Sequence, residues 1–203
     1  MLERFGVIKS FEINAEYMKI TCISGSPNAG GNNEKMADIV LEIAQERGYE
    51  TDRIFLSNLI VEPCTDCGIC KKSRDCPIDD DMKDIYAKLE NSDAFIVSSP
   101  VFFGSMSAQL KALFDRTILL RRNGFLLKGK IGAAMAIGGS RNGGQEFTIQ
   151  TIHSWMYIHG MVVVGDAGHF GGIALKPVES DDVGLKTVRD TVNMLCDTLS
   201  RLK

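Results

Sequence analysis

Apolar residues follow two patterns along this chain, and from residue 18 the two alternate. MKITCIS (18–24) is a short, nearly unbroken apolar run, and TDRIFL (51–56), DAFIVSS (93–99), IGAAMAI (131–137) and MVVVG (161–165) repeat it. Runs of this length, bounded by turn residues, predict strands buried on both faces. Between the runs, apolar positions fall three and four apart. Met36, Ile39, Val40, Ile43 and Ala44 predict a helix over 32–48, closed by Gly48. Leu110, Leu113, Phe114 and Thr117 predict one over 106–121, and Leu185, Val188, Val192, Leu195 and Leu199 one over 183–202. Further helices are expected over 145–159 and 81–91, the latter opened by the acidic run 79–81, which suits the positive end of a helix.

Five strands separated by helices predict an α/β fold: a doubly wound, five-stranded parallel sheet in the flavodoxin-like order 2-1-3-4-5. The fold occupies 18–203 as one domain, with a cysteine-rich loop over 57–80 inserted after the second strand. Residues 1–17 precede it as an arm, in which VIKSFEI alternates weakly as an edge strand would.

The chain has 203 residues, 44% apolar and 24% charged, with a net charge of -3. That balance argues against nucleic acid or an anionic membrane as the main partner. No stretch reaches the ~18 apolar residues of a membrane span, and residues 1–17 lack the pattern of a secretory leader. A reducing cytoplasm is the expected compartment, and there clustered cysteines point to metal or redox work.

Four of the six cysteines fall within CTDCGICKKSRDC, as Cys64, Cys67, Cys70 and Cys76 in a C-x2-C-x2-C-x5-C spacing. A [4Fe-4S] cluster takes four thiolates, and three at intervals of three residues wrap a short loop around one cluster face. Zinc sites more often pair two C-x2–4-C knuckles across a longer gap. Free or redox-active thiols are the third reading. Cys22 and Cys196 lie in predicted core elements. His153, His159 and His169 have no ligand spacing to the cysteines, and Trp155 and Met156 read as packing residues.

Three other loops follow strands at their carboxyl ends, where such sheets bind ligands. SGSPNAGGNN (24–33) opens a helix with small residues, hydroxyls and amides, a setting that suits a phosphate or a plain tight turn. It is neither a Walker loop nor G-x-G-x-x-G. In SSPVFFGSMSAQLKALFDR (98–116), Pro100 and Gly104 bracket two phenylalanines fit to lie beside a flat ring or to cover the sheet. GGSRNGGQE (138–146) holds four glycines within seven residues, so its backbone can approach a ligand closely, and Arg141 and Gln145 add polar reach.

Together these segments resemble the flavin loops of the NADPH-dependent FMN reductases, and with the cysteine run the chain resembles an iron–sulfur flavoprotein. The resemblance covers about residues 18–200. It implies that Ser24, Ser26, Asn28, Asn32 and Asn33 hold the FMN phosphate. Pro100, Val101, Phe102, Phe103 and Gly104 would line the isoalloxazine, and Gly139, Ser140, Arg141 and Gly144 would close its other side. Cys64, Cys67, Cys70 and Cys76 would ligate a [4Fe-4S] cluster. The expected activity is electron transfer between cluster and FMN, with no side chain acting as acid, base or nucleophile. A reduced ferredoxin or NAD(P)H is the expected redox partner, and a homodimer or homotetramer the expected assembly. Two alternatives stay open: an NAD(P)H-dependent FMN or quinone reductase without a cluster, and a zinc-stabilised binding module.

Overall fold

The computed structural model describes residues 18–202, so the arm proposed for 1–17 lies outside it. Strands β1 (Lys19–Ser24), β2 (Glu50–Phe55), β3 (Ala94–Pro100), β4 (Ile131–Gly138), β5 (Val162–Val164) and β6 (Gly172–Leu175) form one sheet in the order β2-β1-β3-β4-β5, and β6 also pairs with β4. All described pairings are parallel. Helices are α1 (Asn32–Glu46), α2 (Met82–Glu90), α3 (Ala108–Arg116), α4 (Ile118–Arg122), α5 (Gln145–Ile158) and α6 (Asp182–Arg201).

Each sheet face carries its own core. Ile23, Phe95, Val97 and Ala134 pack with α2, α3 and α5 through Leu89, Leu113 and Ile152. Ile20, Ile96, Ala133 and Met135 pack on the other face with α1 and α6 through Val40 and Leu195. Cys22 and Cys196 are buried in this second core, as expected. Alternating side chains of one strand thus feed opposite cores, which is why the strands read as continuous apolar runs.

Two departures from the expected elements have local causes. The fifth lane of the sheet is shared: β5 pairs with Ile131–Ala133 and β6 with Met135–Gly138. The second half reads as glycine loop because it must pass close to its neighbours. A Cβ on Gly171 would lie 2.1 Å from the Ala134 carbonyl oxygen, and one on Gly172 2.8 Å from Met135 Cγ. The expected helix over 106–121 breaks at Thr117 into α3 and α4. The Thr117 hydroxyl donates to the Phe114 carbonyl at 2.6 Å, accepts from Trp155 Nε1 at 2.9 Å and stands 2.9 Å from His159 Nε2.

That geometry fixes the state of His159. The single Thr117 proton goes to Phe114, so His159 Nε2 carries the hydrogen and Nδ1 is bare, buried and unpartnered among the described residues. Burial, aided by nearby Arg121, pushes the His159 pKa down to about 4. Its folded value lies below the unfolded one, so the unfolded chain binds more protons between pH 6.5 and about 4, and stability falls as pH falls through that window. The expected cost at the acid end is about 3 kcal/mol. Urea midpoints should lose that much less on acidification in His159→Gln; equal losses in parent and variant would contradict it.

Candidate cofactor site

The three loops singled out in the sequence are fastened to one another. In the first, Ser24 ends β1 with its hydroxyl buried and unpartnered among the described residues, and Asn33 Oδ1 is in the same condition. Ser26 Oγ accepts from the Asn28 N–H at 3.1 Å, while Asn28 is exposed. Gly31 caps α1 without a side-chain hydrogen bond. Asn32 is turned to another use: its Oδ1 accepts from the Val178 N–H at 2.8 Å, tying the loop to the segment after β6. Glu34 braces the same loop, accepting from the Gly30 N–H at 2.6 Å and from the Ser57 hydroxyl.

The second loop hooks onto the first through Ser107. Its hydroxyl donates to the Gly25 carbonyl at 2.5 Å and accepts from Leu110 N–H at 3.2 Å, capping α3. Gly25 is required there, since a Cβ would lie 2.8 Å from Leu110 Cβ. Ahead of it, Phe102 and Ser105 exchange backbone hydrogen bonds of 2.9 and 3.1 Å around Phe103 and Gly104, with φ of 50° and 78°. Two successive left-handed residues make a type I′ turn. An aromatic residue held at positive φ is strained, and such strain clusters at ligand sites. Phe103 projects fully into solvent and Phe102 is 44% exposed. Pro100 closes β3, and Val101 continues its pairing by donating to the Ile137 carbonyl.

The third loop meets the second backbone to backbone. Gly144 opens α5 at φ 106°, and a Cβ there would come within 2.9 Å of Gly104 Cα. Buried Gln145 shapes the loop from inside, accepting from Gly143 N–H at 3.0 Å and donating to the Ser140 carbonyl at 2.7 Å. Gly139, Ser140 and Arg141 lie beyond the end of β4, with Ser140 and Arg141 exposed. The result is an edge lined by close-packed glycine backbone, an unpartnered Ser24 hydroxyl able to donate and two exposed rings, a chemistry that fits a flat, phosphate-bearing cofactor.

The cysteines occupy a different place from the one their sequence position suggests. They were expected on the carboxyl edge with the other loops, since they follow β2. Only the neck of the loop is there, where Ile60 and Glu62 N–H groups donate to Asp81 and Asp80 at 2.6 and 2.9 Å. The body of the loop then descends over α2, α3 and α4. Arg74 pairs with Glu90 at the end of α2. Arg122 Nη1 donates to Cys70 Sγ at 3.0 Å, and Asn123 Nδ2 to the Cys70 carbonyl at 3.3 Å. The second loop opens α3 and the cysteines rest beyond its far end. α3 itself, nine residues or roughly 13 Å long, runs between the loop at its start and the cysteine cavity at its end.

Cys64, Cys67, Cys70 and Cys76 form no disulfide and line one cavity with Tyr86, Arg116, Leu119 and Arg122. Cys64 and Cys67 are exposed, Cys70 and Cys76 half-buried. Asp66 and Gly68 take φ of 48° and 74° and bend the loop that lines that cavity, although among the described residues its sulfurs are not drawn together into a formed metal site. Four soft donors on one loop fit an iron–sulfur cluster or zinc better than a hard cation, for which the cavity offers only the Asp66 and Asp75 carboxylates among the described residues.

Sequence reasoning missed the residue that fixes this loop. Arg116, at the end of α3, forms a bidentate pair with Asp80 at 2.6 and 3.0 Å and also donates to the Glu62 carbonyl at 2.9 Å. Both side chains are 1% exposed. Burial alone would raise the Asp80 pKa; Arg116 and the Glu62 and Met82 N–H groups outweigh it and hold the carboxyl below its usual range. The Asp-Arg at 115–116 and the acidic run 79–81 were visible in the sequence, but nothing there joins them.

The family model described as NADPH-dependent FMN reductase matches residues 18–173. An iron–sulfur flavoprotein of Methanosarcina thermophila is 58% identical over 92% of this chain and 97% of its own length. One from Methanocaldococcus jannaschii is 42% identical over 92% of this chain and 100% of its own. Among solved structures, an NADH:FMN oxidoreductase superposes with a TM-score of 0.68 at 20% identity, covering 89% of each chain. An archaeal flavodoxin gives 0.60 at 20% identity, covering 90% of this chain and 99% of its own. These two show the shared flavodoxin-like fold. The chain belongs to the NADPH-dependent FMN reductase family of FMN-dependent oxidoreductases and, within it, to the iron–sulfur flavoproteins.

Proposed function

We propose that this protein passes electrons between a [4Fe-4S] cluster and FMN. The observation that carries the reading is the coexistence of two sites on one chain: three interlocked carboxyl-edge loops, and a cavity lined by four thiols. When bound, FMN exchanges electrons singly or in pairs and the cluster exchanges them singly, so a protein holding both couples one-electron and two-electron partners.

The side chains bind and orient. The buried Ser24 hydroxyl, free to donate, with Ser26, Asn28, Asn33 through its amide N–H, and the α1 backbone, is assigned to the phosphate end. Asn32 joins them through its backbone, because its Oδ1 is already engaged by Val178. Pro100, Val101, Phe102, Phe103 and Gly104 are assigned to one side of the ring, and Gly139, Ser140, Arg141 and Gly144 to the other. No side chain in these loops is required as acid, base or nucleophile. A reduced ferredoxin or NAD(P)H is the expected partner, in a cytoplasmic setting; no described helix is long and apolar enough to cross a membrane.

Exchange is expected within a subunit or across a contact between copies of the chain. The outer face of α5 supports such a contact, since Phe147, Tyr157 and Ile158 are 68%, 65% and 58% exposed on one helix. Apolar surface of this kind marks association. A homodimer or homotetramer is the expected state, and a monomeric mass by light scattering would contradict it. Cofactor content tests the wider reading. Anaerobically purified protein should hold FMN, iron and labile sulfide; FMN without iron, or zinc without flavin, overturns it.

A further inference from the structure

Two guanidinium groups face the cysteine loop, Arg116 from the Asp-Arg that ends α3 and Arg122 from the end of α4. Arg122 donates from Nη1 to Cys70 Sγ at 3.0 Å, and the neighbouring Asn123 holds the Cys70 carbonyl. No carboxylate among the described residues pairs with Arg122. Arg116 lines the same cavity and is fully buried. Its terminal nitrogens are taken by Asp80 and the Glu62 carbonyl, while its Nε–H is buried without a partner among the described residues. Buried donors are normally satisfied, so an orphan on a residue that lines the cysteine cavity marks a place where an acceptor belongs.

A cluster held by four thiolates is an anion, and it gains one further negative charge on reduction. A fixed cation beside it, and a hydrogen bond to a ligating sulfur, stabilise the reduced form more than the oxidised one. We propose that Arg122 is a positioning residue that raises the reduction potential of the cluster through its contact with Cys70, with the Arg116 Nε–H as a second donor in the same cavity. The inference rests on the reading that Cys64, Cys67, Cys70 and Cys76 hold an iron–sulfur cluster. The couple it concerns takes up one electron; no bond breaks and no proton moves.

The test is an EPR-monitored titration of the anaerobically purified holoprotein with dithionite and mediators, comparing the parent with Arg122→Gln and Arg122→Lys. The Gln variant removes the charge. At a fixed potential its ratio of reduced to oxidised cluster should fall tenfold or more, a shift of about 59 mV for a one-electron couple. Lys keeps the charge but not the planar fork, and its shift should be smaller and in the same direction. The flavin midpoint, read optically in the same titration, should stay in place. A cluster midpoint unchanged or raised in an iron-replete Gln variant overturns the inference. If the Gln variant loses iron, the Lys variant decides in the same way: a downward shift supports the inference, and none, or an upward one, overturns it. A parent protein without iron overturns the cluster reading itself and this inference with it.

Discussion

Replacing Cys67 with alanine will remove most of the iron and labile sulfide from the protein while FMN stays bound. Cys67 is exposed at the centre of the x2-x2 run and lines the same cavity as Cys64, Cys70 and Cys76. With three thiolates the ligand set is incomplete, and the carboxylates that line the same cavity, Asp66 and Asp75, are hard oxygen donors that replace a thiolate poorly. The flavin half should be indifferent, because its three loops are held by Ser107, Gln145 and Gly144, none of which touches residues 64–76. The broad iron–sulfur absorbance should therefore vanish and the flavin bands persist. Full iron content in Cys67→Ala would contradict the ligand assignment. Loss of FMN along with the iron would contradict the independence of the two sites.

The second large effect lies away from both cofactors. Arg116→Met will leave the Asp80 carboxylate buried, with the backbone N–H groups of Glu62 and Met82 as its remaining partners. Breaking one side of a buried ion pair costs about 3–5 kcal/mol. For a domain of this size that corresponds to a fall in Tm of roughly 10 °C. Removing both charges together, as Arg116→Met with Asp80→Leu, should cost less than the two single changes summed, because no charge is then stranded. The same pair carries an acid signature. The folded Asp80 pKa is depressed, so its stabilisation is present above the ordinary carboxylate range and is lost as pH falls through the folded value. A loss under 1 kcal/mol in Arg116→Met would show that the neck of the loop does not depend on this pair. Thermal unfolding of the single and double variants settles the matter.

The fold was legible because its strands and helices obey one rule each. Continuous apolar runs mark strands that feed two cores, and three-to-four spacing marks helices with one buried face. Illegible features depended on contacts distant in sequence. Gly171 and Gly172 read as loop, yet they are glycines so that β6 can lie against β4 and α6. Thr117 reads as one more helix position, but its hydroxyl serves Phe114, Trp155 and His159 at once and the helix breaks there. The three carboxyl-edge loops were visible through their glycines, serines and Pro100. What joins them was not, since Ser107 and its partner Gly25 lie 82 positions apart. The path of the cysteine loop was hidden for the same reason. Its spacing revealed a ligand set, while its descent over α2–α4 is fixed by Arg74 on Glu90 and Arg122 on Cys70, contacts that no local pattern encodes.

The central claim, that electrons pass between the cysteine-bound cluster and FMN, is tested most directly by anaerobic rapid mixing. Protein reconstituted with both cofactors is mixed with a one-electron protein donor such as reduced ferredoxin, and the broad iron–sulfur absorbance and the flavin bands are followed separately. In the parent, flavin reduction should follow loss of the cluster absorbance. In Cys67→Ala the flavin should be reduced at least tenfold more slowly, while dithionite still reduces it. Flavin reduction at the parent rate in that cluster-free variant would contradict the account.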